Sequence, residues 1–269
     1  MSQELQFISD FLRSECAIVI GPDKYYLIES RLKPLLSGLG LNDLGSLVTS
    51  LRRDSNEKVR QTVVEALTTH ETLFFRDLAL FDDLRAQILP EIIAKRKSIR
   101  RLSIWSAAAS TGQEIYSIAM LICRHFPELG PWTLDYHATD ISSEVLSRAQ
   151  EGLYNQFEVN RGLPADYLVN YFRKEGELWR ISEDIRSMIR FRQLNLIKPW
   201  PELMRYDLIF IRNVLIYFDP EVKRMILNNV ANTLADDGYL FLGGSETVLN
   251  LSNRFKRSSL SKSSCFGKS

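Results

Sequence analysis

Along the first third of the chain the apolar residues recur at helical spacing. Leu5, Ile8 and Leu12 fall on one helix face, Leu27, Leu32, Leu35 and Leu36 on another, and "LNDLGSLVTSLRR" opens with Asn42 as an expected helix cap. No strand-like alternation interrupts this stretch. From Arg101 the pattern changes to short apolar runs separated by helical segments. "RLSIWSA", "WTLDYHATD", "DLIFIRN" and "GYLFLGG" read as strands, and 113–126, 142–151 and 220–235 read as helices. Strands alternating with helices predict a mostly parallel sheet covered on both faces. Between Tyr154 and Leu196 the rhythm breaks, and "GELWRISEDIRSMIRFRQLNL" predicts antiparallel strands with turns at Glu175-Gly176 and Glu183-Asp184. The expected organisation is an all-helical N-terminal domain over 1–95, ending in the charged linker "EIIAKRKSIRR", then an α/β domain over 96–269 with a small antiparallel β insertion at about 154–196. The basic, serine-rich end "NRFKRSSLSKSSCFGKS" is expected to be mobile.

Composition narrows the classes. The 269 residues, 45% hydrophobic, suffice for two cores, and 34 basic against 33 acidic residues leave no global field to attract nucleic acid. Cys16, Cys123 and Cys265 form no CxxC pair, and His70, His125 and His137 lack metal-ligand spacing, so a reduced, cytoplasmic chain without a metal is expected. The N-terminus has no basic segment leading an apolar core, and the most apolar run is broken by Arg212 and Asn213, which argues against secretion or membrane insertion.

The strand-to-helix turn "AAASTG" carries the first chemical signal. Open α/β sheets bind ligands outside the carboxyl ends of their strands, and a dinucleotide there needs G-x-G-x-x-G so that backbone can approach a pyrophosphate. Only Gly112 is present, and Glu114 at the helix start would repel phosphate but suits a ligand bearing an ammonium or sulfonium charge. Asp140, at the end of the second strand, either accepts hydrogen bonds from a ribose diol or caps the helix that follows. Arg212 and Asn213, just after a buried strand, either serve a ligand or form a structural ion pair.

Taken together, "ALTTHETLFFRD", "IWSAAASTGQEIYSIAM", "ATDISSEVLSRAQEGLY", "FRQLNL", "YDLIFIRNVLIYFD" and "DDGYLFLGGSET" resemble, in order and spacing, the CheR family of S-adenosylmethionine-dependent chemoreceptor methyltransferases. The resemblance implies a Rossmann-like methyltransferase domain behind a helical domain that recognises receptors. It implies cofactor contacts at Thr72, Arg76, Glu114, Asp140, Asn195, Leu196, Arg212 and Asn213, with His70 standing where the family usually has asparagine. Arg76 and Tyr217 are the implied catalytic residues, Tyr217 beside the transferring methyl. Ala108 replaces a usual glycine, Gln113 a glutamate and Ile115 a proline, and Ala108 would be strained if its backbone must take a positive φ. The implied function is methyl transfer from S-adenosylmethionine, leaving S-adenosylhomocysteine, to glutamates on the cytoplasmic helices of methyl-accepting chemoreceptors by a monomer. The alternative is a non-catalytic cofactor-sensing or docking protein. Between 24 and 60, seven bases face four acids, a modest surplus for steering toward an acidic helix.

Overall fold

The structure is a computed structural model and describes residues 3–53 and 56–269. Helices α1 (Gln3–Cys16), α2 (Tyr25–Leu32), α3 (Leu44–Leu51) and α4 (Glu57–Leu67) enclose an apolar cluster of their own, with Ile8, Leu12, Ile28, Leu47 and Val63 fully buried. The cap of α3 is Asp43, not Asn42: its carboxylate accepts from Ser46 N at 2.7 Å while the Ser46 hydroxyl accepts from Asp43 N at 3.1 Å. Arg31 ends this unit by donating to the carbonyls of Leu67 and Thr68, both at 3.1 Å.

Helices α5 (Leu78–Asp83) and α6 (Leu89–Arg96), joined by a π turn at Leu84–Ile88, belong elsewhere. Phe74, Phe81, Leu84, Ile88 and Ile92 share a core with the sheet. Helical spacing shows that a segment is helical but not which core it enters, so packing divides the chain between Leu67 and Phe74, ahead of residue 95. Nor is the charged stretch a free linker, since Arg96 pairs with Asp207 at 2.7 Å and with Asp237 beneath the sheet.

The sheet contains β1 (Arg101–Ala107), β2 (Thr133–Asp140), β6 (Ile189–Gln193), β7 (Tyr206–Ile211), β8 (Leu234–Leu242), β9 (Phe255–Arg257) and β10 (Cys265–Lys268), in the order β6-β2-β1-β7-β8-β10-β9. The first five in that order are parallel, β10 runs antiparallel to β8, and β9 runs antiparallel to β10. Alternation sorts the strand residues: Leu102, Ile104, Leu208, Phe210 and Phe241 face α5, α6 and α7 (Gln113–His125), whereas Trp105, Ile209, Ile211 and Leu240 face α12 (Pro220–Thr233). Strand order reverses between β1 and β7, which opens a crevice at their carboxyl ends.

The insertion corrects one expectation. After α8 (Ser143–Glu151), strands β3 (Leu153–Asn155), β4 (Phe172–Glu175) and β5 (Leu178–Ile181) form an antiparallel sheet that also carries α9 (Gln156–Asn160) and α10 (Ala165–Tyr171). The expected turn at Gly176 joins β4 to β5. At Glu183, however, the chain forms the short helix α11 (Glu183–Arg186), and β6 then joins the main sheet parallel to β2. A short charged strand on a sheet edge alternates like a hairpin strand, so periodicity alone does not separate the two. The C-terminal tail is likewise ordered: the Asp83 carboxylate accepts from Lys262 N at 2.9 Å and from the hydroxyls of Ser261 and Ser263, and β10 pairs with β8. The serines read as disorder are its hydrogen-bond donors.

Glu65 on α4 joins the two units. Its Oε1 accepts from Ser143 N at 2.8 Å and Ser143 Oγ at 3.0 Å, at the positive end of α8. Burial pushes the Glu65 carboxyl up, but hydrogen bonds from Gln61, Ser143 and the Glu144 amide outweigh it and leave the group below its ordinary value. A depressed carboxyl stabilises the fold above its unfolded pKa and loses that contribution as pH falls through the folded one. Glu65→Ala should therefore cost about 1 kcal/mol at pH 7 after solvent screening, a fall in melting temperature of roughly 2–4 °C. Paired melting curves at pH 7 and near pH 3.5 should show the difference shrinking in acid.

Candidate active site

The crevice is built by three tight backbone turns. After β1 the chain passes through Ala108 at φ 55°, Ser110 at φ 52° and Gly112 at φ 91° before α7 begins. A Cβ on Gly112 would lie 3.0 Å from the Tyr116 ring and 3.1 Å from the Ala149 methyl, so the glycine is required by both conformation and space. Ala108 does adopt the left-handed conformation in which alanine is strained, at a cost on the order of 1–3 kcal/mol. Its neighbours offset this: Ala109 N donates to Thr139 O at 2.9 Å, and Ser110 Oγ donates to His70 O at 2.6 Å.

Asp140 anchors the same loop. Its Oδ2 accepts from Ser110 N at 2.8 Å and its Oδ1 from Ser142 N at 3.1 Å. Helix α8 is capped by Ser142, whose hydroxyl accepts from Val145 N at 3.3 Å, so the capping alternative for Asp140 does not hold. Burial pushes the Asp140 carboxyl above its ordinary value, against the Ser142 amide, the His70 ring and the Ser110 amide, which pull it down. Each carboxylate oxygen keeps a lone pair for a donor in the cleft. His70 stands beside it, with Nδ1 3.9 Å from Asp140 Oδ1 and Nε2 2.6 Å from Thr68 Oγ1.

At the centre lies Arg212, whose side chain is 3% exposed. Nη1 donates to Glu114 Oε2 at 2.7 Å, and Nη2 reaches the Asp77 carboxylate and, at 3.4 Å, the Arg76 carbonyl. Ser106 Oγ holds the other Glu114 oxygen at 2.8 Å. Arg212 therefore forms the structural ion pair, the residue also lines the cleft, and its buried Nε has no hydrogen-bond partner. Two carboxylates about one guanidinium leave the cluster with one net negative charge.

Asn213, at φ 58°, follows directly, and its amide donates to Glu246 Oε2 at 2.8 Å. Glu246, which the sequence reading did not single out, also accepts from Gly243 N at 2.7 Å and Ile216 N at 3.2 Å, fixing the turn that presents Tyr217. A glutamate just past a strand end, in "GGSET", was its available signal. Asn195 spends its side chain on structure, donating to Glu15 O at 2.7 Å and accepting from Ile197 N at 3.1 Å. The Leu196 carbonyl takes Trp200 Nε1 at 3.1 Å.

All the residues expected to contact the cofactor or act in catalysis, including Thr72, Arg76 and Tyr217, line a single cleft that is partly open to solvent. Wall residues that the sequence reading missed include Cys16 and Ile18 from the helical unit and Thr68 just after it. Cys16 and Ile18 continue an amphipathic pattern and carry no separate mark. Among the described residues no cluster of His, Cys, Asp or Glu could hold a metal ion, and no helix is long and apolar enough to cross a membrane.

Comparison with known proteins gives a consistent picture. Residues 3–68 match the family model "CheR methyltransferase, all-alpha domain" and residues 70–264 match "CheR methyltransferase, SAM binding domain". The chain is 39% identical over 258 residues to the "Chemotaxis protein methyltransferase" of Vibrio parahaemolyticus, covering 94% of this chain and 92% of that protein. It is 42% identical over 250 residues to "Chemotaxis protein methyltransferase 1" of Pseudomonas aeruginosa, covering 91% and 90%.

Two substitutions test the cleft. Ala108→Gly should relieve the left-handed strain while adding about 0.4–1 kcal/mol of chain entropy to the unfolded state, so melting temperature should be unchanged or slightly higher. Affinity for S-adenosylhomocysteine should stay the same or rise, as read by calorimetry. Asp140→Asn keeps an acceptor for Ser110 but replaces the charged one. It should weaken that affinity about ten- to a hundredfold without unfolding the protein.

Proposed function

Because the chain belongs to the CheR methyltransferase family, we propose that it esterifies glutamate side chains on the cytoplasmic helices of chemoreceptors, giving γ-glutamyl methyl esters. It is an S-adenosylmethionine-dependent methyltransferase. When bound, S-adenosylmethionine supplies an electrophilic methyl group on a sulfonium.

The residues fit this cofactor. Ile18, Ile141, Leu196 and Phe218 provide apolar wall for an adenine, and the Asp140 carboxylate has acceptor capacity for a ribose diol. The net negative charge of the Glu114–Arg212–Asp77 cluster suits a cationic ligand.

Glutamate with its reference pKa of about 4.3 is already ionised at neutral pH, so the reaction needs no general base. The protein's contribution is to bring two bound groups into line, which is worth roughly 7–11 kcal/mol in favourable cases. The observation that carries this reading is Arg76. It sits at the cleft on the segment just before α5, and among the described residues its guanidinium makes one hydrogen bond, at 3.4 Å to the Glu71 carbonyl. A cation so little committed is suited to receive a carboxylate. Tyr217, presented by the turn that Glu246 fixes, would border the transferring methyl.

The helical domain is the proposed receptor contact, although three of the seven bases between 24 and 60 are already engaged within it. Arg31 is bound to the Leu67 and Thr68 carbonyls, Lys33 pairs with Glu29 at 3.3 Å, and Arg60 pairs with Glu15 at 2.7 Å. The altered loop that suggested a non-catalytic alternative still holds its carboxylates in place, and no observation favours that alternative.

The test is incubation with tritiated S-adenosylmethionine and receptor-bearing membranes, scored by methanol released in base. Arg76→Ala should cut turnover about a hundredfold while shifting the melting temperature little. Absence of base-labile label in the wild type would sink the proposed reaction.

A further inference from the structure

We propose that Asp77 is a positioning residue for this reaction: through Arg212 it holds the strap at 73–77, and with it the Arg76 guanidinium, over the cleft. The inference rests on the methyltransferase reading above and concerns how its cation is kept in place.

The strap has an unusual backbone. Phe75 lies at φ 48° and Asp77 at φ 66°, both left-handed, on either side of Arg76. Residues other than glycine hold such conformations when their surroundings over-determine them. Two anchors lie before Arg76: Phe75 N donates to Ser117 Oγ at 3.0 Å, and the Phe74 carbonyl packs against Gly162 so closely that a Cβ there would come within 2.1 Å. The anchor at Arg76 and beyond is Arg212, whose Nη2 is shared between the Arg76 carbonyl and the Asp77 carboxylate.

The ordinary role for an aspartate at this position would be a helix cap, because α5 begins at the next residue. The Asp77 side chain makes no capping hydrogen bond, and its carboxylate turns to Arg212 instead. Without Asp77, Nη2 would keep only the 3.4 Å contact to the Arg76 carbonyl, while Glu114 still holds Nη1. The guanidinium would then follow Glu114, and the strap would lose its side-chain anchor beyond Arg76.

Three substitutions separate the ion pair from the strain. Asp77→Ala removes the carboxylate in a strained backbone, Asp77→Gly removes it without strain, and Asp77→Asn tolerates the left-handed conformation and keeps a neutral acceptor for Arg212. In hydrogen exchange on the full chain, the 73–77 amides should exchange about tenfold faster in the Ala and Gly variants, with near wild-type rates in Asn. Turnover should fall about ten- to a hundredfold in Ala and Gly. In an Arg76→Ala background the same changes should cost less than about twofold, because there is no longer a guanidinium to place. Equal losses in both backgrounds, recovery of turnover by Asp77→Gly, or wild-type exchange of the strap in Asp77→Ala would each overturn the proposal. If the wild type methylates no receptor, the proposed reaction fails, and the exchange measurement still decides whether Asp77 holds the strap.

Discussion

The cleft depends on one buried charge. Arg212 leaves the end of β7 into an environment where a guanidinium loses nearly all its water, and a cation so placed is tolerable only if carboxylates reach it. Glu114 arrives from the first turn of α7 and Asp77 from the strap that precedes α5, so three segments far apart in sequence are held at one point. The exchange of water for carboxylates is near neutral for stability, but deleting Glu114, the largely buried partner, costs on the order of 3–5 kcal/mol, whereas Asp77, half exposed, contributes less. The arrangement thus favours one relative placement of strap, helix and strand over alternatives that leave the charge unpaired.

Backbone strain is concentrated at the same place. Of the non-glycine residues with positive φ, Phe75, Asp77, Ala108, Ser110 and Asn213 all surround the cleft. Side chains hold these turns through the backbone: Ser117 takes the Phe75 amide, Asp140 that of Ser110 and Glu246 that of Asn213. Carboxylates in this site therefore act twice, once on the loops that form the cleft and once on its electrostatic character. This is also why alanine is tolerated at Ala108, since the loop beyond it is fixed independently by Asp140 and by the Ser110 hydroxyl.

Much of the fold was legible because its determinants are local. The strand "RLSIWSA" coincides with β1, and the apolar spacing of 113–126 becomes α7 to within a residue, since a buried strand and an amphipathic helix each write their period into the chain. What failed was non-local. The pairing of β6 with β2, the ordering of the tail by Asp83 and the packing of α5 and α6 on the sheet depend on partners tens of residues away. The site shows the same division. Asp140 and Glu114 stand at strand and helix ends, where position alone suggests chemistry, whereas Glu246 and Cys16 acquire their place only through tertiary contacts.

The helical domain is part of the cleft as well as its neighbour. Cys16 and Ile18 lie at and just beyond the end of α1 and Thr68 at the end of α4, and all three line the wall. The Glu15 carbonyl also receives Asn195, on the loop beyond β6, and Glu65 receives the start of α8, directly after the Asp140 turn. A ligand in the cleft would then touch surfaces from both domains, and its binding free energy would be shared with their docking. Glu65, outside the cleft, thus ties the helix that ends at Thr68 to the start of α8, just after the Asp140 turn. The contact between domains and the binding of cofactor are, on this geometry, two parts of one equilibrium.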